Sequence, residues 1–335
     1  MNEPITIKDI AKELGVSVST VSRALKNNPD IKETTRKEVQ DFAKIHHYKP
    51  NVMAMNLRNQ RSNIIGVIIP QFVHFYFSSI LSGIEDIAAK NGYQIIIAQS
   101  NDQYKKEVNI VHSFIEARVC GVIASLAKET TEYTHYQELI DNKIPVIFYD
   151  RICTGINTER VVVDDYAGSF AAVEYMIQTG CKRIFFYSAP LNLEISKNRR
   201  NGYLDAMKKY HIPVEDSMIK ICDTREQAIA LTSTLLEISN RPDAFFAIND
   251  NTASGILYAC KLAGLKVPDE VSICGFTDGF VAVSTDPKLT TVEQRGFEVG
   301  KNAIEILLEK LNSKSDEKLQ NRIIRTNLVV RGTTK

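Results

Sequence analysis

Polar and charged side chains stand where apolar segments of this chain end or where the next helix is expected to begin. These residues are Ser125, Asp150, Arg151, Asp164, Arg199 and Asn249. Carboxylates, amides and guanidinium groups suit the hydroxyl groups of a sugar or a similar polar metabolite, and Tyr76 and Phe77 can stack on an apolar ring face. The pattern predicts a small-molecule site. The alternative is that an Asp-Asp or Asn-Asp pair after a strand only caps the next helix.

A second group of polar residues lies near the N-terminus, in two short amphipathic helices. Thr6 and Asp9 have the spacing of a capping box, Gly15 can end the first helix, and Ser17 can cap the second. So tight a connection fits a helix-turn-helix, whose second helix enters the major groove of DNA. The residues predicted to contact DNA here are Thr6, Val18, Ser19, Thr20, Ser22 and Arg23. The alternative is a plain three-helix bundle with a solvated charged face.

A third helix is predicted from Glu33 to His47, and proline and asparagine then break the chain. The segment Asn51–Arg58 has a short helical pattern of eight residues. So short a helix is not stable alone in water, and we expect it to form only when it docks onto a partner.

Charge is distributed unevenly along the 335 residues. The first 62 residues carry eleven Lys/Arg against seven Asp/Glu, whereas the whole chain has a net charge of only +1. A basic N-terminal module predicts a polyanionic partner for that module. The chain shows neither a signal peptide nor an apolar run of membrane-spanning length, so a cytoplasmic protein without a membrane partner is expected.

The residue types and their spacing give little indication of catalytic activity. The six cysteines and six histidines have no metal-ligand spacing, so neither a metal site nor a cofactor is predicted. The chain also lacks G-x-G-x-x-G after a strand, G-x-x-x-x-G-K-[ST] and G-x-S-x-G. No nucleophile is paired with a base at a recognisable spacing, and we expect that the protein is not an enzyme.

The remainder of the chain alternates strands and helices. The continuous apolar run Ile64–Ile69 is typical of a strand buried on both faces of a parallel sheet. The βαβα alternation then predicts an α/β body of doubly wound sheets in two lobes with a cleft between them. We expect a helix-turn-helix domain with its linker at 1–62 and a ligand-binding and dimerisation body at 63–335.

The order and spacing of these motifs resemble the lactose-repressor (LacI/GalR) family of bacterial transcriptional regulators. The N-terminal motifs are TIKDIAKELGVSVSTVSRAL, YKPN, the A-x-x-L-R of Ala54–Arg58 and NIIGVIIP. The motifs of the body are HFYF, VVVDDYAG, RRNGY, AINDN, GLKVPDEVSICGF, LTTVEQ and LVVRGTT. The resemblance covers essentially the whole chain, and it implies a body with the fold of periplasmic sugar-binding proteins.

For the linker, the resemblance implies a hinge helix that folds on DNA. Leu57 matches the leucine that enters the minor groove at the operator centre, where an apolar wedge unstacks a base step. Asn51, Ala54 and Arg58 are assigned to the same DNA-binding segment. His47 stands where the family usually has a helix-ending glycine.

For the body, the resemblance implies three crossings between the lobes, near Val162, Thr291 and Ile323. The ranges expected are about 63–162 and 292–322 for the N-lobe, and about 163–291 and 323–335 for the C-lobe. The resemblance places the effector at the residues named above and at Thr277. Thr277 replaces an aspartate that commonly binds effector hydroxyls, and Thr224 stands where an aromatic residue often stacks on the effector.

The function implied is a sequence-specific transcriptional regulator, most simply a repressor, that binds a pseudo-palindromic operator as a homodimer. A sugar or related metabolite in the cleft would control it allosterically, either by releasing DNA or by promoting its binding. No leucine heptads follow LVVRGTT, which favours a dimer over a tetramer. The alternative function is a solute-binding protein for uptake with no transcriptional role.

Overall fold

A computed structural model describes residues 5–48, 62–312 and 319–335. The chain divides into two compact units, Met1–Ser62 and Asn63–Lys335. The predicted hinge helix, with Asn51, Ala54, Leu57 and Arg58, lies outside the described residues.

The first unit is built from three helices. They are α1 (Ile7–Glu13), α2 (Val18–Leu25) and α3 (Glu33–Ile45). Their shared core consists of small and medium apolar side chains, namely Ile10, Ala11, Val21, Ala24, Val39 and Ala43. The predicted caps are confirmed, because Thr6 and Asp9 form the capping box of α1 and the hydroxyl of Ser17 accepts from the amide of Thr20.

Each of the three helices is followed by a left-handed residue, which after α2 is Asn27 with φ of +56°. Gly15 follows α1 with φ of +62°, as its position predicted, and His47 follows α3 with φ of +50°. The amide of His47 donates to the carbonyl of Lys44, and that of Tyr48 donates to the carbonyl of Ala43. This is the hydrogen-bond pattern of a Schellman cap, which glycine usually forms. Helix α3 therefore ends at Ile45, earlier than the predicted His47.

We expect His47→Gly to raise the free energy of unfolding of the first unit by about 1 kcal/mol, because glycine has no Cβ to strain the left-handed backbone. Gly15→Ala is the matched control and should lower stability, since it introduces that strain at φ of +62°. Chemical unfolding followed by circular dichroism measures both changes. Equal or reduced stability of His47→Gly would contradict this account of the cap.

The second unit contains two six-stranded sheets. The strands of the N-lobe sheet are β1 (Ile64–Ile69), β2 (Gln94–Gln99), β3 (Gly121–Ala124), β4 (Val146–Tyr149), β5 (Arg160–Val163) and β11 (Asn321–Ile324). The strands of the C-lobe sheet are β6 (Ile184–Ser188), β7 (Ile219–Ile221), β8 (Ala244–Ala247), β9 (Ser272–Thr277), β10 (Thr290–Glu293) and β12 (Asn327–Val329).

The strand orders are β11-β5-β4-β3-β1-β2 in the N-lobe and β12-β10-β9-β8-β6-β7 in the C-lobe. Neighbouring strands pair in parallel except β12, which pairs antiparallel with β10. The predicted strand Ile64–Ile69 is confirmed with unchanged bounds. The doubly wound α/β architecture predicted for the body is confirmed as well.

Helices cover both faces of each sheet. The N-lobe helices are α4 (Phe75–Lys90), α5 (Tyr104–Glu116), α6 (Thr134–Asp141) and α12 (Gly296–Asn312). The C-lobe helices are α7 (Asp165–Gln178), α8 (Glu194–Lys209), α9 (Arg225–Leu236), α10 (Asp250–Leu262) and α11 (Phe280–Ser284), with a 3₁₀ turn at Asp216–Met218. Alternate strand residues enter different cores: Phe186 and Phe246 pack under α7 and α8, whereas Phe185 and Phe245 pack under α9 and α10.

The chain passes between the lobes three times. The last strand residues before these passages are Val163, Glu293 and Ile324. Each lies one or two residues beyond the predicted crossing, because the strands continue pairing to the edge of the sheet. Val163, for example, is still paired with Ile324.

Candidate functional site

A cavity of about 320 Å³ lies between the two lobes of the second unit. Its volume falls in the range of small-molecule sites. Seven of the nine effector residues predicted from the sequence line it, namely Tyr76, Phe77, Asp150, Arg151, Arg199, Asn249 and Thr277. The other two, Ser125 and Asp164, do not.

Arg199 is held from several sides in the C-lobe wall of the cavity. Its Nε donates to Asp165 at 2.8 Å, and its Nη1 donates to the carbonyl of Ile248. The guanidinium lies 3.7 Å from the centroid of the Phe276 ring. Burial raises the pKa of Asp165 to about 6, although the charge of Arg199 opposes the rise. Arg199 is therefore a rigid part of the wall whose charge is already compensated.

Asp164 and Asn249 show why helix caps and site residues are hard to separate in sequence. Asp164 caps α7 by accepting from the amide of Ala167, and it is the next residue, Asp165, that turns inward to Arg199. Neither aspartate lines the cavity, and Asp165 borders it only through its ion pair with Arg199. Asn249 caps α10 and also lines the cavity, and its Nδ2 donates to the carbonyl of Asp223 at 3.0 Å.

Ser125 and Thr224 lie away from the cavity lining. Ser125 is fully buried at the end of β3, and no described residue is a hydrogen-bond partner of its hydroxyl. Thr224 caps α9 by accepting from the amide of Gln227. The difference from the family pattern at Thr224 is thus explained locally, since a threonine there serves as a helix cap.

Asp150 lies at the end of β4, in the floor of the cavity. Its φ of +55° lies in the left-handed region, which aspartate enters more readily than most residues other than glycine. Its side chain is buried, and none of the described residues donates a hydrogen bond to its carboxylate. Burial raises the pKa of this carboxyl, opposed by Arg151 and then by Arg199.

A chain of charged side chains crosses the cleft. Arg151 of the N-lobe contacts Asp102, whose carboxylate lies 3.9 Å from the ammonium of Lys128. Lys128 reaches the C-lobe, where its Nζ lies 2.6 Å from Asp223 and its carbonyl accepts from Asn192 at 2.8 Å. The sequence does not identify Asp102, Lys128 and Asp223 as site residues, because nothing in their spacing shows that loops of different lobes meet here.

Asp250 is a further buried carboxylate that sequence reasoning missed. It lines the cavity at the start of α10, where its oxygens accept from the amide of Gly279 and the hydroxyl of Thr291. Burial raises its pKa to about 6. Thr277 lies close by with φ of +147°, and its hydroxyl donates to Gln294 at 3.1 Å. The side chain at this position is therefore turned to a protein partner.

Asp250 predicts a pH dependence of stability. In the folded protein its pKa is about 6, whereas the ordinary value is 3.8, so the folded state retains a proton that the unfolded state releases. Its contribution to stability is therefore largest at low pH and decreases as the pH rises through about 6. Between pH about 4.5 and about 6.5 we expect a loss of about 2 kcal/mol.

The difference in free energy of unfolding between the natural protein and Asp250→Asn isolates this contribution. The variant should lose less stability over the same pH interval, because its side chain does not titrate. If the free energies of unfolding of the two proteins changed with pH in parallel, Asp250 would have an ordinary pKa in the folded protein.

Aromatic side chains border the mouth of the cavity from both lobes. Phe72 and Phe75 belong to the loop after β1 and the start of α4, and Phe280 begins α11. All three are at least half exposed. They offer apolar faces beside the polar floor, which is the composition of sites for ring-shaped polar ligands.

The predicted DNA-contacting residues of the first unit lie at the start of α2 and beside α1. Thr6, Val18, Ser19 and Arg23 are exposed, and Thr20 and Ser22 are half-buried. The hydroxyl of Ser17 lies within hydrogen-bond distance of those of Ser19 and Thr20. The side of α2 that faces away from its buried residues, Val21 and Ala24, is therefore exposed and available for contact with a partner.

Within 5–48, 62–312 and 319–335, no group of three or more His, Cys, Asp or Glu is arranged to hold a metal ion. In the same part of the chain, no helix has the length and apolar character needed to cross a membrane.

Two family models match the chain. The model of bacterial regulatory proteins of the lacI family matches residues 6–51, which include the three helices of the first unit. The model of the periplasmic binding protein-like domain matches residues 173–334, which make up most of the C-lobe and the end of the body.

The chain is similar to known proteins over nearly its full length. Catabolite control protein A of Priestia megaterium is 32% identical over 313 residues, which cover 93% of this chain and 94% of that protein. The HTH-type transcriptional repressor CytR of Escherichia coli (strain K12) is 30% identical, with 98% and 96% covered. The crystal structure of the Lac repressor dimer bound to operator and the anti-inducer ONPF superposes with a TM-score of 0.87 at 23% identity, covering 99% of both chains. The chain belongs to the lacI family of bacterial regulatory proteins.

Proposed function

We propose that this protein is a transcriptional repressor that binds a pseudo-palindromic operator as a homodimer and is controlled by a small metabolite, a sugar or a related compound. One observation carries the proposal: a helix-turn-helix unit and a two-lobed body with a ligand-sized polar cavity occur in one chain. The relatives support it, since one is named a repressor and the Lac repressor structure contains a dimer, an operator and a small molecule. The proposed partners are DNA, the metabolite and a second copy of the chain, all in the cytoplasm.

In this proposal α2 enters the major groove of each half-site. Arg23 can bridge guanine O6 and N7, and Val18 can contact a thymine methyl group. Lys26 and Arg36 supply contacts to phosphates, which fix the register of the protein on DNA without reading sequence. Leu57 inserts into the minor groove between the half-sites, an assignment that rests on the sequence motif of the linker.

Ligand binding in the cleft acts through the arrangement of the two lobes. The three chain passages let the lobes move relative to each other, and residues of both lobes line the cavity. A ligand that prefers one arrangement shifts the equilibrium between DNA-binding and free protein by a coupling free energy of about 1–3 kcal/mol.

Exposed apolar side chains supply a surface for the second copy. Ile96 and Ile97 lie on β2 and Ile221 on β7, and each of these strands is the edge of its sheet. Tyr258 and Leu262 are exposed on α10. Apolar groups at sheet edges are usually covered in the functional assembly. Sedimentation should show a dimer at micromolar concentration, and a stable monomer or tetramer would contradict this part of the proposal.

The decisive experiment is in vitro selection of duplex DNA from a randomised library with the full-length protein. The proposal predicts enrichment of one pseudo-palindromic sequence, and binding of that sequence is then measured with and without candidate metabolites. A solute-binding protein for uptake would select no sequence. The direction in which a metabolite changes operator affinity shows whether it is an inducer or a corepressor.

Arg23→Ala should weaken binding to the selected operator by about 1–3 kcal/mol and relax preference at one base position of each half-site. The control is Lys26→Ala, which should weaken binding to all sequences similarly and reduce its salt dependence. Gel-shift titrations at several salt concentrations separate the two effects. If Arg23→Ala keeps full sequence preference, α2 does not read bases through this residue.

A further inference from the structure

Helix α2 is held at its two ends in different ways. At its start the hydroxyl of Ser17 accepts from the amide of Thr20, a contact between residues that are close in sequence. At its end the contact comes from α3, where Nε2 of Gln40 donates to the carbonyl of Ala24 at 3.0 Å and to Oδ1 of Asn27 at 2.6 Å. The end of α2 is therefore fixed by a side chain of another helix.

The backbone at the end of α2 forms a Schellman cap, in which Asn27 is the left-handed residue. The amide of Asn27 donates to the carbonyl of Ala24 at 3.1 Å. The amide of Asn28 donates to the carbonyl of Arg23, also at 3.1 Å. The carbonyl of Ala24 can only accept, so the nitrogen of the Gln40 side chain must face it. Gln40 thus binds both the last turn of α2 and the residue that ends it.

The apolar contacts of α2 leave part of its orientation to be set by other groups. Its two buried side chains, Val21 and Ala24, are three residues apart and lie on one row of the helix surface. A helix of eight residues packed along one row of small side chains can still tilt about that row. The hydrogen bonds of Gln40 restrict this motion at the end of the helix that carries Arg23.

Gln40 is also related to the proposed phosphate contacts. It lies four residues after Arg36 on α3, so the two side chains project from the same side of that helix. Arg36 is proposed to bind a phosphate, and Gln40 holds the helix that is proposed to read bases. Helix α3 thereby links the register of the protein on the phosphates to the placement of α2 in the groove.

We infer that Gln40 is a positioning residue for base reading: by fixing the end of α2, it places Arg23 against the base that this side chain recognises. Gln40 acts through α2 and does not need to contact DNA. The inference rests on the proposed function, in that α2 is taken to enter the major groove and Arg23 to read a base.

The variant Gln40→Met tests this role, because methionine has a similar length and helix propensity but cannot donate a hydrogen bond. The base position that Arg23 reads is identified first, with the full-length protein and Arg23→Ala. At that same position, Gln40→Met should lower the preference for the natural base by about fivefold, as expected for the loss of a hydrogen bond. Gel-shift titration of four operators that differ only at this position measures the preference. A merely unfolded fraction would reduce affinity for all four operators equally.

The variant Gln40→Lys should restore the preference. Its ammonium group keeps an N–H donor of similar reach, and a cation suits the negative end of the α2 dipole. The added charge should raise affinity for all four operators alike. Asp41→Asn is the matched control, because it changes an exposed side chain next to Gln40, and it should leave base preference unchanged. Equal loss of preference in Gln40→Lys and Gln40→Met would overturn the role given to the hydrogen bonds.

The inference and the proposed function fail in different ways. A natural protein that selects no operator overturns the proposed function and the inference with it. Selection of an operator together with unchanged base preference in Gln40→Met overturns the inference alone.

Hydrogen exchange of the free full-length protein adds a measurement that requires no DNA. In Gln40→Met the amides of Asn27 and Asn28 should exchange at least about fivefold faster, because the cap has lost its support from α3. Amides at the end of α1 should exchange as in the natural protein. Unchanged exchange at Asn27 and Asn28 would show that Gln40 does not hold the end of α2, and would overturn the inference.

Discussion

Replacing Arg199 with alanine is expected to abolish the response to ligand and to lower the free energy of unfolding of the body by about 3–5 kcal/mol. The variant leaves Asp165 buried without its partner and removes the group that donates to the carbonyl of Ile248. It also removes the cation packed on the face of Phe276. The loss of the ligand response and the loss of stability would both result from removing one side chain. The two effects must therefore be separated experimentally.

The double variant Arg199→Met with Asp165→Asn separates them. Removing both charges avoids an uncompensated buried carboxylate, and buried ion pairs can often be replaced by neutral groups at small cost. We expect its stability to recover most of the loss while the response to ligand stays absent. Chemical unfolding measures the first property, and operator binding with and without ligand measures the second.

DNA binding by the double variant should persist, since the helix-turn-helix unit is a separate compact unit of the chain. A double variant that regains both stability and the ligand response would show that Arg199 is only structural. A single variant as stable as the natural protein would contradict the buried ion pair itself.

The strands and the chemistry at their ends could be predicted because they depend on local patterns. The apolar run Ile64–Ile69 identifies a strand buried on both faces, and polar residues such as Asp150 and Arg199 mark where chain segments reach the cleft. Helix caps at Thr6 and Ser17 are similarly local, because the capping side chain and the amide it satisfies are close in sequence.

What could not be predicted depends on contacts between distant segments. Asp164 and Asp165 are equivalent in sequence, and only the packing of α7 decides which of them faces Arg199. The partners Lys128 and Asp223 lie on loops of different lobes, so no periodicity relates them. Asp250 resembles any acidic residue at the start of a helix, and its burial follows from the approach of Gly279 and Thr291.

The close packing of two helices is another feature that depends on residues far apart in the sequence. Helices α4 and α12 approach so closely that a Cβ on Gly300 would lie 2.0 Å from the carbonyl oxygen of Ile80. The contact is reciprocal, since a Cβ on Gly83 would lie 2.2 Å from the carbonyl oxygen of Phe297. These atoms belong to helix backbones, which cannot move independently of the side chains that they carry.

Gly300→Ala is therefore expected to lower the free energy of unfolding of the body by about 3 kcal/mol, despite the better helix propensity of alanine. Lys301→Ala is the control on the same helix and should change stability by no more than about 0.5 kcal/mol. Because α4 carries Tyr76 and Phe77, displacement of this helix should also weaken ligand binding in molecules that remain folded. A Gly300→Ala protein with natural stability and ligand affinity would mean that the helices can separate without cost, and that their close contact does not position the N-lobe wall of the site.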